Sequence, residues 1–159
     1  MANSYFRFKQ FTIQQERCAM KVTTDASLFG AWAASQIAKH SSAAHRLLDI
    51  GTGTGLLSLL IAQQTNCQID AVEIDRDSFE QATENINASP WHTRIKTIHA
   101  DIQSFHASQG YHIIVSNPPF YENELTSHLH QKNMAHHDSG LLLSDLFKVI
   151  KSTLLPEGR

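Results

Sequence analysis

The sequence predicts an α/β protein: a mostly parallel sheet with helices packed on both faces. Three observations lead there. From residue 46 onward, short apolar runs alternate with helix-like stretches. A turn with three alternating glycines joins the first run to the first helix of that series. Acidic residues then stand at or just beyond the ends of the later runs.

Taken in order, Phe6, Phe8, Phe11 and Ile13, then Met20 and Val22, predict two short extended stretches around a turn at Gln15-Glu16-Arg17. Thr24 or Asp25 is then expected to cap a helix whose buried stripe is Leu28, Phe29, Trp32, Ala33 and Ile37. Leu47–Ile50 reads as a buried strand broken by Gly51, and Leu56–Gln64 as a helix apolar almost all round. Gln68–Ile74 gives a second strand. Asp77, with Glu80 three residues on, is the expected cap of a helix that buries Phe79, Ala82 and Ile86 and stops near Pro90. Arg94–Ala100 and His112–Ser116 read as third and fourth strands. Ser144 should then cap a helix with Leu146, Val149, Ile150 and Leu154 on one face. The expected division is an N-terminal extension, 1–45, packed on a core, 46–159. The series halts at Pro156-Glu157-Gly158-Arg159, where a further strand is expected. The segment therefore reads as part of a longer protein, with its fourth strand left as an open apolar edge.

Composition narrows the function classes. With 42% hydrophobic and 18% charged residues, the chain has the balance of an ordinary globular domain. It holds no apolar run long enough to cross a bilayer, and its first residues lack the apolar core of a secretion signal. Cys18 and Cys67 stand far apart in no metal or redox pattern, as expected of reduced thiols in a cytoplasmic protein. Net charge is −2, so no global basic field recruits nucleic acid. Residues 1–21 nevertheless carry Arg7, Lys9, Arg17 and Lys21 against Glu16, a local +3 that leaves −5 for the rest. Such an arm can engage phosphates, or can simply be a solvated polar edge.

The chemistry concentrates at the strand ends. In Asp49-Ile50-Gly51-Thr52-Gly53-Thr54-Gly55 the glycines let the backbone turn sharply and approach a ligand closely, beside the free amides of a helix N-terminus. A dinucleotide fingerprint would need glycine at position 56, which is Leu56. Asp49 would repel a pyrophosphate but could orient an ammonium or a bound water. Glu73 ends the second strand, where a carboxylate can take both hydroxyls of a ribose; Asp75 competes for that role but reads as a turn residue. Asp101 follows the third strand, placed to accept from an adenine amino group, and Ile102 could cover the ring. Together these residues outline an adenosine site, although each acid alone would pass as a turn or cap residue.

Asn117-Pro118-Pro119-Phe120 follows the fourth strand directly and should face the same site. The Asn117 amide oxygen and the Pro118 carbonyl can both accept from one NH2 group, aiming its lone pair at an electrophilic methyl. The prolines fix these acceptors in advance, and Phe120 offers a stacking face for a planar substrate. Positioning then carries the catalysis, with no metal or nucleophile required. A rigid turn is the alternative reading of the tetrad on its own. His128, His130, His136 and His137 lie close together, but they match no standard metal-site spacing and no metal is expected.

The glycine loop, strand-end acids and Asn-Pro-Pro-Phe resemble class I Rossmann-like methyltransferases that act on amino groups. Phe8-Lys9-Gln10-Phe11, then Cys18-Ala19-Met20-Lys21-Val22, Thr24-Asp25 and Gly30-Ala31-Trp32, more specifically resemble the bacterial tRNA1(Val) adenine-37 N6-methyltransferases over nearly the whole chain. That resemblance implies S-adenosyl-L-methionine as cofactor and tRNA as substrate. It implies Asp49, Gly51, Gly53 and Gly55 as the cofactor loop, Glu73 at the ribose and Asp101 with Ile102 at the adenine. Asn117 through Phe120 would hold the methyl acceptor, with Asn117 also touching the cofactor, and Asp25 would border the cofactor's methionine end. The family fold has seven strands. Relatives often carry arginines after the tetrad, where this chain has Lys132, His136 and His137. Competing readings keep the chemistry on another acceptor (rRNA guanine N2, DNA adenine or protein glutamine), or make the chain a non-catalytic cofactor-binding module.

Overall fold

The computed structural model describes residues 3–40, 45–118 and 143–159. Its centre is a four-stranded parallel sheet of β3 (Arg46–Ile50), β4 (Gln68–Glu73), β5 (Ile95–His99) and β6 (Ile113–Ser116), in the order β5-β4-β3-β6. The sheet order reverses beside β3, the first of these strands in the chain. In open sheets of this kind, ligands bind at such a reversal.

Side chains alternate across the sheet with period two. Leu47, Ile69, Ala71, Ile95 and Val115 point to one face, which is covered by α1 (Thr24–His40), α2 (Leu56–Gln64) and α3 (Arg76–Asn87). Leu48, Ile50 and Val72 point to the other, where they meet Ile102, Tyr111 and the Leu146 and Val149 stripe of α4 (Leu143–Thr153). Helices thus lie on both faces, as the sequence predicts. The α2 helix is buried from Leu56 through Ala62 because it is sandwiched between the sheet and α1. It comes close to α1 at Gly30, where an added Cβ would sit 2.6 Å from Leu60 Cδ1.

That approach corrects the expected stripe of α1. Gly30, Ala33 and Ala34 are the buried positions, while Leu28 and Trp32 are 70% and 59% exposed. The small residues let the two backbones come together, and Leu28 and Trp32 are turned outward, while Ala33 and Ile37 meet the core as expected. The N-terminal turn is corrected as well. Strands β1 (Tyr5–Arg7) and β2 (Thr12–Gln14) pair antiparallel, so the chain reverses at Phe8–Phe11 and not at Gln15-Glu16-Arg17. Phe11 and Ile13 then enter the same core as α2.

Helix ends differ from expectation by a residue or two. Asp75, not Asp77, caps α3 by accepting from the Ser78 amide at 2.8 Å, and Glu80 pairs with Arg76 and Arg17 instead. Thr23 caps α1 through its hydroxyl, which accepts from the Ala26 amide. Ser144 lies within α4, which ends at Thr153, and Leu154 bridges to Tyr111. The outer edge of β6 is not left open along its first half. Leu155 and Arg159 donate to the Tyr111 and His112 carbonyls, and Ile114 donates to the Arg159 carbonyl. Among the described residues no helix is long and apolar enough to cross a membrane.

Candidate functional site

Strand register brings the candidate residues to one row. Ile50 stands opposite both Val72 and Ser116, and Glu73 opposite His99. One residue further on, Gly51, Glu73, His99 and Asn117 therefore line up across the carboxyl ends of four neighbouring strands.

The glycine loop rises from the middle of this row. Gly51, Gly53 and Gly55 all have positive φ, at 70°, 55° and 82°. At Gly53 this left-handed conformation would cost another residue roughly 1–2 kcal/mol. A Cβ there, as at Gly51, would meet nothing within 4 Å, so open space adjoins the backbone. Fixed hydrogen bonds hold the loop from below. The Gly51 and Thr52 amides both donate to the Val72 carbonyl, and Gly55 donates to Thr52.

Asp49 lies beneath the loop, fully buried. Its Oδ2 accepts from Thr52 Oγ1 and Ser58 Oγ, each at 2.7 Å. Its Oδ1 has no partner, the one such buried side-chain atom among the described residues. Burial pushes this carboxyl above the usual range, against the hydrogen bonds from Ser58 and Thr52 that favour its charged form.

Glu73 is also buried, and its carboxylate is already engaged by the chain. Oε2 accepts from the Gly53 amide at 2.8 Å, and Oε1 from the Ile74 and Asp75 amides at 3.0 Å each. It therefore clamps the glycine loop to the end of β4. A carboxylate offers about four lone-pair sites, so room for one further donor remains. Asp101 is exposed, with Oδ1 accepting from the Gln103 amide in a tight turn. Ile102 is buried in the second core against Ile50 and Val72, with 6% of its surface left for any ligand ring.

Asn117 and Pro118 are half-buried at the end of β6, next to Ser116, whose hydroxyl donates to the Ile50 carbonyl. Pro119, Phe120 and the histidine-containing loop lie outside the described residues. Asp25 is exposed on the first turn of α1 and is not drawn into the row by any hydrogen bond among the described residues. Both cysteines are buried and free; burial pushes the Cys18 thiol up, away from nucleophilic use. No cluster of three or more metal-ligating side chains occurs among the described residues.

Sequence reasoning passed over Asn85, which is buried in α3 and bonded to the glycine loop. The available signal was a polar amide on the apolar stripe of Ala82 and Ile86.

The family described as "Methyltransferase small domain" matches residues 31–153. The chain belongs to this family. Its curated relatives include a tRNA1(Val) (adenine(37)-N6)-methyltransferase of Dyadobacter fermentans, 49% identical over 99% of this chain. One of the same name from Cytophaga hutchinsonii is 43% identical over 99% of this chain. The chain spans 63% and 65% of the lengths of these two relatives. Among solved structures, a SAM-dependent methyltransferase from Thiobacillus denitrificans, in complex with S-adenosyl-L-homocysteine, superposes with a TM-score of 0.60. It is 16% identical, with 90% of this chain and 49% of that one covered. The match establishes that this methyltransferase small domain shares its fold.

Proposed function

We infer that the chain is the cofactor-binding part of an S-adenosyl-L-methionine-dependent methyltransferase that modifies the N6 amino group of an adenine in tRNA, A37 of tRNA1(Val). The observation that carries the reading is the row of strand ends. It sets a buried, half-satisfied carboxylate and an open glycine cradle beside Asn117.

The residues present suit that cofactor. The unpartnered Oδ1 of Asp49 is a buried acceptor, and an ammonium group or its bound water would complete it and favour its charged form. The space beside Gly51 and Gly53 admits a ligand against bare backbone. Glu73 keeps one free lone-pair direction for a ribose hydroxyl, and Asp101 keeps Oδ2 for an adenine amino group. Bound there, S-adenosyl-L-methionine supplies a methyl group on a sulfonium. Ile102, deep in the second core, sets the floor of the adenine pocket more than a face for stacking.

Asn117 and Pro118 perform the acceptor's side of the reaction. Their carbonyl oxygens accept both hydrogens of the target amino group, which holds the nitrogen lone pair out of conjugation. Pro118 and Pro119 keep these acceptors fixed, and Phe120 stacks on a base flipped from the RNA. Rate enhancement on this scheme comes from placement at attack distance.

The tRNA reading draws on the names of the relatives and on the basic N-terminal arm. Arg7 and Lys9 are exposed on the β1–β2 hairpin and form no ion pair among the described residues. They rim a cleft of about 400 Å³ between the hairpin and the C-terminal half of α3. Arg17, by contrast, is neutralised by Glu80 and Glu84. Buried reduced thiols and a tRNA substrate accord with a cytoplasmic location.

Asn117→Ala in the whole protein tests the scheme. Transfer should drop below detection, while S-adenosylhomocysteine binds with unchanged affinity. Undiminished turnover would refute the role of Asn117.

A further inference from the structure

One buried amide ties the N-terminal hairpin to the glycine loop. Asn85 is 2% exposed in α3. Its Oδ1 accepts from the Gln14 amide at 2.8 Å, and its Nδ2 donates to the Gln14 carbonyl and the Thr54 carbonyl, each at 2.9 Å. Both amide hydrogens are used, and the acceptor is engaged, so no spare donor is left to water. The side chain mimics a strand partner for Gln14 and anchors the loop with its second hydrogen.

The bond to Thr54 acts on loop shape. Holding the Thr54 carbonyl toward α3 fixes the plane of the next peptide, and the Gly55 amide then points the opposite way, to the Thr52 carbonyl. Glu73 fixes the preceding turn through the Gly53 amide. Asn85 and Glu73 thus hold the loop's two halves, from α3 and from β4. The Gln14 bonds act on the hairpin. The next residue, Gln15, reaches Val22 and Asn3 with its side chain, and Gln81 of α3 accepts from the Arg17 amide. The segment that leads into α1 is therefore fastened to the same helix that fastens the loop.

We propose that Asn85 is a positioning residue, holding the glycine loop in the shape that receives the methyl donor and coupling donor binding to the order of the N-terminal hairpin. The proposal rests on the S-adenosyl-L-methionine reading above. Coupling of this kind is reciprocal: a ligand that orders the loop must tighten the hairpin, and a loosened hairpin must weaken the ligand. The hairpin also carries Arg7 and Lys9, so its order bears on the surface offered to RNA.

The test uses the whole protein and two independent measurements. Asn85→Asp keeps the side-chain shape and the acceptor for Gln14, but replaces both donors with an oxygen facing two carbonyls. It should raise the KM for S-adenosyl-L-methionine tenfold or more while changing kcat at saturating donor less than threefold. A simple loss of folded protein would lower kcat and leave KM in place, and that result overturns the proposal. The second measurement needs no variant: S-adenosylhomocysteine should slow hydrogen exchange at the Gln14 amide of the wild-type protein at least fivefold. Bound ligand with unchanged exchange also overturns the coupling. Failure of the wild type to bind S-adenosylhomocysteine at all would instead remove the cofactor reading, and the proposal with it.

Discussion

Replacing Asp49 with asparagine should make the ligand-free protein more stable and the liganded protein weaker. Asp49 is fully buried and its Oδ1 is unpartnered, so its ionised form is held at a cost. Removing a carboxylate from water carries an effective penalty of several kcal/mol. The two hydroxyl bonds to Oδ2 recover about 1.5–3 kcal/mol each as bonds to a charged group. Asparagine keeps an acceptor for both hydroxyls at roughly 1 kcal/mol each and carries no charge, against about 1–3 kcal/mol for the unpartnered NH2 left where Oδ1 was. The balance is a gain of up to about 2 kcal/mol at neutral pH, or up to roughly 8 °C in Tm for a chain of this size.

The sign with pH follows from the raised carboxyl. A group whose pKa is higher folded than unfolded binds more protons when folded, so its ionisation removes stability as pH rises through the folded value. Wild type should therefore gain on the Asp49→Asn variant as pH falls. The difference should close below the ordinary carboxyl value of 3.8, where Asp49 is neutral in both states. Thermal unfolding followed by circular dichroism at several pH values reads this directly. A variant less stable than wild type at pH 7, or a gain that does not depend on pH, would refute the reasoning. Titration with S-adenosylhomocysteine should show weaker binding by the same variant.

Further outcomes follow from the same geometry. Gly53→Ala puts a Cβ at φ 55° and into the open space beside the loop. It should cost roughly 1–2 kcal/mol in urea unfolding and abolish S-adenosylhomocysteine binding by calorimetry. Gly30→Leu drives a side chain into Leu60 and Leu57 at the α1–α2 crossing, where a Cβ alone already comes to 2.6 Å. The expected loss is about 3 kcal/mol, read as a lower urea midpoint. Exchanging Arg7 and Lys9 together for glutamate should weaken tRNA binding and reduce the magnitude of its log-salt slope by about 1.5–2, with donor affinity unchanged.

The parallel sheet was legible because its strands are near-continuous apolar runs, buried on both faces and punctuated by glycine or an acid. Leu47–Ile50 and Gln68–Ile74 fall within a residue of β3 and β4. What stayed hidden was decided by small residues and by tertiary partners. Periodicity weights Leu28 and Trp32 heavily and Gly30 hardly at all, yet the close approach to α2 selects the glycine side of α1. The hairpin turn at Phe8-Lys9-Gln10-Phe11 contains no Gly, Pro, Asn or Asp, so the usual turn signals were absent. Asp75 and Asp77 carry the same chemistry at the start of α3, and only the backbone decides which one caps.

The row of candidate residues was legible in its residue types and less so in the contacts they make within the fold. Glu73 reads from sequence as a ligand for ribose, but its carboxylate also takes three backbone amides and shapes the loop. Ile102 reads as a ring cover and proves to be a core residue. Asn85, which no motif marks, joins elements 71 and 31 residues apart in the chain.

The decisive measurement is methyl transfer from labelled S-adenosyl-L-methionine to unmodified tRNA by the whole protein, with the product nucleoside identified by mass spectrometry. The expected result is N6-methyladenosine at position 37 of tRNA1(Val), lost on Asn117→Ala. Label in another acceptor with none in tRNA would contradict the substrate, and donor binding without transfer to any acceptor would contradict the reaction itself.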